Sequence, residues 1–189
     1  MGVAKDSAIY FPAGRSRSEP ADVIRWAVGD LQVAVTWARF QEAEPDMAAL
    51  VRERFESHRH AVMATLRRDG APRLSGMEAP IRDGHLWLAM DDSSRKTDDL
   101  RRDARLSIHS ALDDEQLTLG DARVDGRAVP ALGPEVSLFV KGHRFPIEDT
   151  STMALFWVDI TGVVLARVVD RGLLVSSWTP EGGLRETRV

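Results

Sequence analysis

The sequence predicts a mainly β chain, with six or seven antiparallel strands closed or nearly closed into a barrel and a few short helices. Three observations predict it. Short β-prone runs recur from residue 61 onward, turn dipeptides such as Asp69-Gly70 and Asp83-Gly84 separate them, and a single short helical segment falls between the third and fourth runs. Strands alternating regularly with helices would mean a doubly wound parallel sheet, and that alternation is missing.

The first 46 residues read differently from the rest, as an amino-terminal extension of helix plus loop outside the core. Ser18 and Pro20 suit the start of a helix over residues 19–28, closed by Gly29. Residues 32–40 fit either a strand or more helix. Pro45 breaks the chain, and from Met47 the spacing of Leu50, Val51, Arg54 and Phe55 places them on one helical face. The barrel domain is therefore expected to span residues 47–189, and a chain beginning at Met47 is expected to fold.

Residues 61–66 form the first expected strand, 73–81 the second and 85–90 the third. A charged helix over Arg95 to Arg102 follows, with Ser93 or Ser94 as its cap. Leu106 and Ile108 alternate with Ser107 and His109 in a fourth strand. Over 122–129, Ala122, Val124, Gly126 and Ala128 share one face against Arg123, Asp125 and Arg127 on the other, the signature of a half-solvated strand. Residues 132–149 read as a short helix plus a loop. A long β run over 155–169 is broken or bulged at Gly162, and a final strand covers 173–178.

Composition narrows the function. The 189 residues are 43% hydrophobic and 29% charged, which is the profile of a globular domain that needs no metal or disulfide staple. Cysteine is absent, which removes thiol nucleophiles and thiolate ligands and points to a cytoplasmic protein. A net charge of −4 offers no global positive field for nucleic acid or an anionic membrane, so any anion site must be local. The longest apolar stretch, residues 23–40, is interrupted by Arg25, Asp30 and Arg39 and does not read as a membrane span.

Gly70-Ala-Pro72, then the strand ending Ala89-Met90, then Ser93-Ser-Arg-Lys96 and Leu100 to Arg105 resemble the core of the pyridoxamine 5′-phosphate oxidase-like family of split β-barrels. The resemblance covers residues 47 to about 180 and implies a flavin-binding fold. It implies that Arg95 and Lys96 hold the phosphate of FMN, with Ser93 and Ser94 adding hydroxyl donors, or of the deazaflavin coenzyme F-420 as the alternative. It places Ser75, Gly76 and Met77 at the edge of the flavin ring, and Ala89 and Met90 by the ring or ribityl chain. It also implies a homodimer with the cofactor at its interface. Physics supports the phosphate assignment independently, because an Arg fork, a Lys point charge and the positive end of a helix together suit a phosphate dianion.

The sequence departs from the oxidase itself. Its second strand carries only Arg73 where the family places several basic residues, and residues 178–189 lack the family's basic and aromatic substrate motif, so pyridoxamine phosphate is not the expected substrate. The five histidines show no metal-binding spacing, and no glycine-rich nucleotide loop or nucleophile elbow occurs. No catalytic side chain stands out. Trp157, Trp178 and Phe156 read as core or dimer contacts, and the pairs Arg67-Arg68 and Arg101-Arg102 as solvated charge, one of which could reach an acidic cofactor tail. Arg68 and Arg127 are therefore expected to be replaceable without effect on binding. The sequence is read as an FMN-dependent oxidoreductase acting on a small organic substrate. A deazaflavin-dependent reductase and a non-catalytic cofactor- or haem-related binding module stand as alternatives.

Overall fold

The computed structural model describes residues 34–112, 115–143, 146–147, 149–170 and 172–189, so the helix expected over 19–28 lies outside the described residues. Two helices open the described chain, α1 (Trp37–Ala43) and α2 (Pro45–Glu56). The strands β1 (Ala61–Leu66), β2 (Pro72–Met77), β3 (Ile81–Arg82) and β4 (His85–Asp91) follow. Helix α3 (Arg95–Arg102) leads to β5 (Arg105–His109) and β6 (Asp121–Pro130), and helix α4 (Pro134–Lys141) leads to β7 (Met153–Val169), β8 (Gly172–Thr179) and β9 (Gly183–Arg188).

All pairings are antiparallel, and the hydrogen-bonded path runs β2-β1-β5-β6-β7-β4-β3 without closing on itself. This is a split barrel. β7 organises it, because its first five residues pair with β4, its last seven with β8, and β6 runs along both stretches. The bulge expected at Gly162 is present one residue away: Asp125 faces Gly162 and Gly126 faces Ile160, which leaves Thr161 unpaired. A Cβ on Gly126 would lie 2.4 Å from the Asp159 carbonyl oxygen, so only glycine lets the two strands approach this closely.

Among the described residues, nine strands replace the six or seven expected. Pro80, which has no N–H to donate, interrupts the expected run 73–81, so β2 ends at Met77 and β3 is a separate two-residue strand. β9 has only Leu184 as a large apolar residue and is exposed along most of its length, so no hydrophobic alternation announces it.

The main core lies between the sheet and α1 and α2, with Met63, Ile108, Val124, Leu165 and Trp178 from the strands. A second cluster of Trp87, Ala131, Phe139, Leu155 and Trp157 fills the other face of β4 and β7 under α4. The expectation that Phe156, Trp157 and Trp178 serve the core agrees with their burial. Arg82 straps α4 down, donating to the Phe139 carbonyl at 2.8 Å and to that of Gly142, with its guanidinium 4.4 Å from the centre of the Phe139 ring.

The boundary expected at residue 46 does not separate core from extension. Trp37 and Phe40 are fully buried, and Phe40 stacks 4.8 Å from Trp178 at the far end of the chain. The Val35 N–H donates to Asp159 Oδ1 at 2.7 Å, and the Val35 carbonyl accepts from Ile160 at 2.8 Å. Residue 46 sits instead in the first turn of α2, whose Pro45 marks where α1 hands over to it. Replacing Phe40 by alanine should therefore cost about 3–5 kcal/mol, as for other buried aromatics, and a chain beginning at Met47 should be less stable still. Urea unfolding reads this directly; a midpoint unmoved by Phe40→Ala would place α1 outside the core.

Candidate functional site

The polar link after β4 is locked by its own side chains. Asp91 Oδ1 accepts from the Ser93 N–H at 2.7 Å and from the Ser93 hydroxyl at 2.5 Å. Ser94 caps α3, accepting from the Thr97 N–H at 3.4 Å. Thr97 gives its hydroxyl proton to the Asp91 carbonyl at 2.8 Å, so in the 2.9 Å contact between the Ser94 and Thr97 hydroxyls Ser94 is the donor. Both serines expected to donate to a phosphate thus spend their protons on building the turn. The N–H groups of Arg95 and Lys96 head the helix and have no intrahelical acceptor.

Helix α3 is too polar to be held by apolar packing alone, since only Leu100 among its residues enters the main core. Its anchor is Asp99, whose carboxylate is buried and accepts from Arg73 Nε at 2.6 Å, Thr65 Oγ1 at 3.0 Å and Arg102 Nη2 at 3.2 Å. Burial pushes the Asp99 carboxyl up, but the hydrogen bonds from Arg73, Thr65 and Arg102 outweigh it and hold the group below the usual carboxylate value. Thr65 and Arg73 face each other across β1 and β2, so one carboxylate ties both strands to α3.

This tie brings the start of α3 beside the β1–β2 hairpin. Arg67, Arg68, Asp69, Arg73 and Arg95 line an open groove of about 480 Å³ between them. Arg95 is exposed and Lys96 half-buried, and neither makes a hydrogen bond or ion pair with a described residue. Three arginines here were not assigned to the site by sequence reasoning. Arg68, expected to be a neutral position, belongs to the groove and cannot serve as a control, whereas Arg127 lies on the exposed face of β6. The available signal was position, because Arg67-Arg68 immediately precedes the Asp69-Gly70 turn and Arg73 is the first basic residue after it.

The remaining expected residues divide by strand geometry. Ser75 is half-buried on the same face of β2 as Arg73, while Gly76 is exposed on the other, and a Cβ there would meet nothing within 4 Å. Met77 and Met90 point into the main core, at 5% and 3% exposure, so their side chains are not at a ligand surface. Ala89 packs against the second cluster. What these residues can offer is backbone. β2 is the end of the hydrogen-bonded path, and β3 reaches β4 only at Leu86 and His85, so both strands carry unpaired polar groups along the open seam.

Fold and groove together define a split β-barrel with an arginine-lined groove between its first hairpin and the start of α3. The sequence model of the pyridoxamine 5′-phosphate oxidase family matches residues 47–145, and the chain belongs to that family. Among solved structures, a pyridoxamine 5′-phosphate oxidase-related, FMN-binding protein from Nostoc punctiforme is similar with a TM-score of 0.55 at 13% identity, covering 77% of this chain and 95% of that one. PhzG from Burkholderia lata, solved with tetrahydrophenazine-1-carboxylic acid, gives 0.55 at 12% identity over 81% and 92%. A heme-binding protein from Mycobacterium smegmatis gives 0.50 at 18% identity over 77% and 88%. At these identities the likeness is one of fold. A search of curated proteins finds no match. Among the described residues, no helix is long and apolar enough to cross a membrane.

Asp99→Asn should lower stability by about 2 kcal/mol at neutral pH, the worth of hydrogen bonds to a charged group. Because the folded carboxyl is shifted down, its contribution is present above the unfolded value near ~3.9 and is lost as pH falls through the folded one. The gap between wild type and Asp99→Asn in urea midpoint should therefore narrow below about pH 4. A gap that stays constant with pH would mean that the charge of Asp99 contributes nothing.

Proposed function

We propose that the protein is a flavin-dependent oxidoreductase that holds FMN by its phosphate at Arg95 and Lys96 and acts on a small organic substrate. The observation that carries this reading is a pair of unpartnered cations at the head of α3, beside a groove lined with arginines, in a chain whose overall charge is negative. Arg73 adds to the site, since its Nε is committed to Asp99 while the two terminal nitrogens of its fork have no acceptor among the described residues. FMN would supply the redox chemistry, which explains why no acid–base pair need be present in the protein. The chain's own part is to fix the phosphate end through Arg95, Lys96 and the first N–H groups of α3. The backbone of β2 around Ser75 and Gly76 is open to a planar ring.

A homodimer fits the same reading. Leu74 is 71% exposed and Val62 38%, and they flank Gly76 on the outward face of β1 and β2, so a second copy there would cover apolar surface next to the cofactor. The deazaflavin coenzyme F-420 is the alternative cofactor, sharing the ribityl phosphate. Arg101, Arg102 and Arg105, the residues that would meet its acidic tail beside α3, are paired with Asp92, Asp99 and Asp103, and the hydrogen bonds from Arg105 hold the Asp103 carboxyl at about 2. That commitment favours FMN.

The absorption spectrum of the purified protein, followed by titration of the cofactor-free protein with FMN, tests the assignment. Arg95→Ala and Lys96→Ala should each weaken binding by about 1.5–3 kcal/mol, or roughly tenfold to a hundredfold, and Arg127→Ala should change it little. Unchanged binding in Lys96→Ala would sink the phosphate site. Steady-state turnover of reduced nicotinamide or other donors separates an oxidoreductase, which consumes them, from a module that only stores its ligand.

A further inference from the structure

We infer that Arg67 and Arg68 form a second anion subsite, which takes a phosphate or carboxylate group beyond the phosphate held at Arg95; this rests on the reading of Arg95 and Lys96 above. The charge balance of the groove is the first argument. Arg73 is already balanced by Asp99, but Arg67, Arg68 and Arg95, with Lys96 next to Arg95, face the single carboxylate of Asp69, so one phosphate dianion still leaves an excess of positive charge. Like charges held side by side repel, and a further anion relieves the surplus.

The second argument is contrast with the rest of this surface. Arg59 pairs with Glu78, Arg101 with Asp92, Arg105 with Asp103 and Arg123 with Asp125, each at hydrogen-bonding distance. The chain has 29 acidic residues against 25 basic ones, so carboxylates are not scarce. Yet Arg67 and Arg68 make no ion pair with a described residue. Asp69, the acid beside them, directs Oδ1 to the Ala71 N–H at 3.0 Å and so serves the turn.

The third is preorganisation. The Arg67 N–H donates to the Ala71 carbonyl at 2.8 Å, and the Gly70 N–H to the Arg67 carbonyl at 2.9 Å, with Gly70 at a φ of +83° that favours glycine. The backbone under both arginines is therefore fixed, so only their exposed side chains have to be ordered on binding. Arg67 follows directly on β1, and Arg73 lies opposite Thr65 on β2, so the hairpin holds Arg67, Arg68 and Arg73 at one end of the groove. Such a subsite would take either an acidic extension of the cofactor itself or an anionic group on a separate substrate.

The double variant Arg67→Gln/Arg68→Gln distinguishes these sources through two titrations. In one, coenzyme F-420 with its acidic tail is compared with the same deazaflavin phosphate without a tail. In the other, FMN-loaded protein is titrated with pyrophosphate. FMN, whose phosphate lies in the same groove, should weaken in the variant by less than in Arg95→Ala, while at least one of the two titrations should show a further tenfold loss beyond that of FMN. Loss of the tail's advantage assigns the subsite to the cofactor, and loss of pyrophosphate binding assigns it to a separate ligand. The inference is overturned if neither titration shifts by threefold beyond FMN, or if FMN itself weakens in the variant as much as in Arg95→Ala. Failure of the underlying phosphate site would show differently, as unchanged FMN binding in Arg95→Ala.

Discussion

A single buried carboxylate sets the geometry on which the site depends. Asp99 sits under a helix that carries eight residues and only one apolar anchor, and it draws together Thr65 on β1, Arg73 on β2 and Arg102 on α3 itself. A charge in such a place is tolerated because three donors surround it. Without those bonds, α3 would keep Leu100 in the core and the Arg102 bond to the Leu66 carbonyl, but would lose its tie to Arg73 on β2. The arginine-lined groove is thus the outer layer of an inner cluster, with the protein's own carboxylate at its centre.

Much of this was legible in the sequence where local chemistry decides the outcome. Ser94 caps α3, Asp69-Gly70 and Asp83-Gly84 turn the first hairpins, and the alternation over 122–129 marks β6, so those elements fall where the residues place them. The position of Arg95 and Lys96 at the head of α3 was legible because two cations follow directly on a helix cap. What escaped needed tertiary information. Residues 37–43 form a helix because Trp37 and Phe40 fill space left by strands more than a hundred residues away, and a stretch so short has no periodicity of its own to declare.

The same distinction explains the outcome for the other site residues. Strand alternation identifies which residues share a face but not which face is the core, so Met77 and Met90 were assigned to the ligand although their side chains belong to the interior. The serines present a different case. A hydroxyl before a helix suits both a phosphate and a cap, and only the count of donated protons shows that Ser93 and Ser94 are occupied with the turn. Arg67 and Arg68 were taken for solvated charge because a doublet in a hairpin turn usually is. Only the fold brings Arg95, 27 residues beyond Arg68, alongside them in one groove.

β7 gives the barrel a mechanical character of its own. It is the one strand shared by β4 and by β8, which packs Trp178 against α1, while β6 pairs along its middle from Phe156 to Ala166. Peeling away either terminal region strips partners from a backbone that the other region also uses, so opening at one end costs the other end its support. Partial unfolding then has no comfortable stopping point. The amides of β7 should be among the last of the described residues to exchange with solvent, while the strands at the ends of the sheet open first.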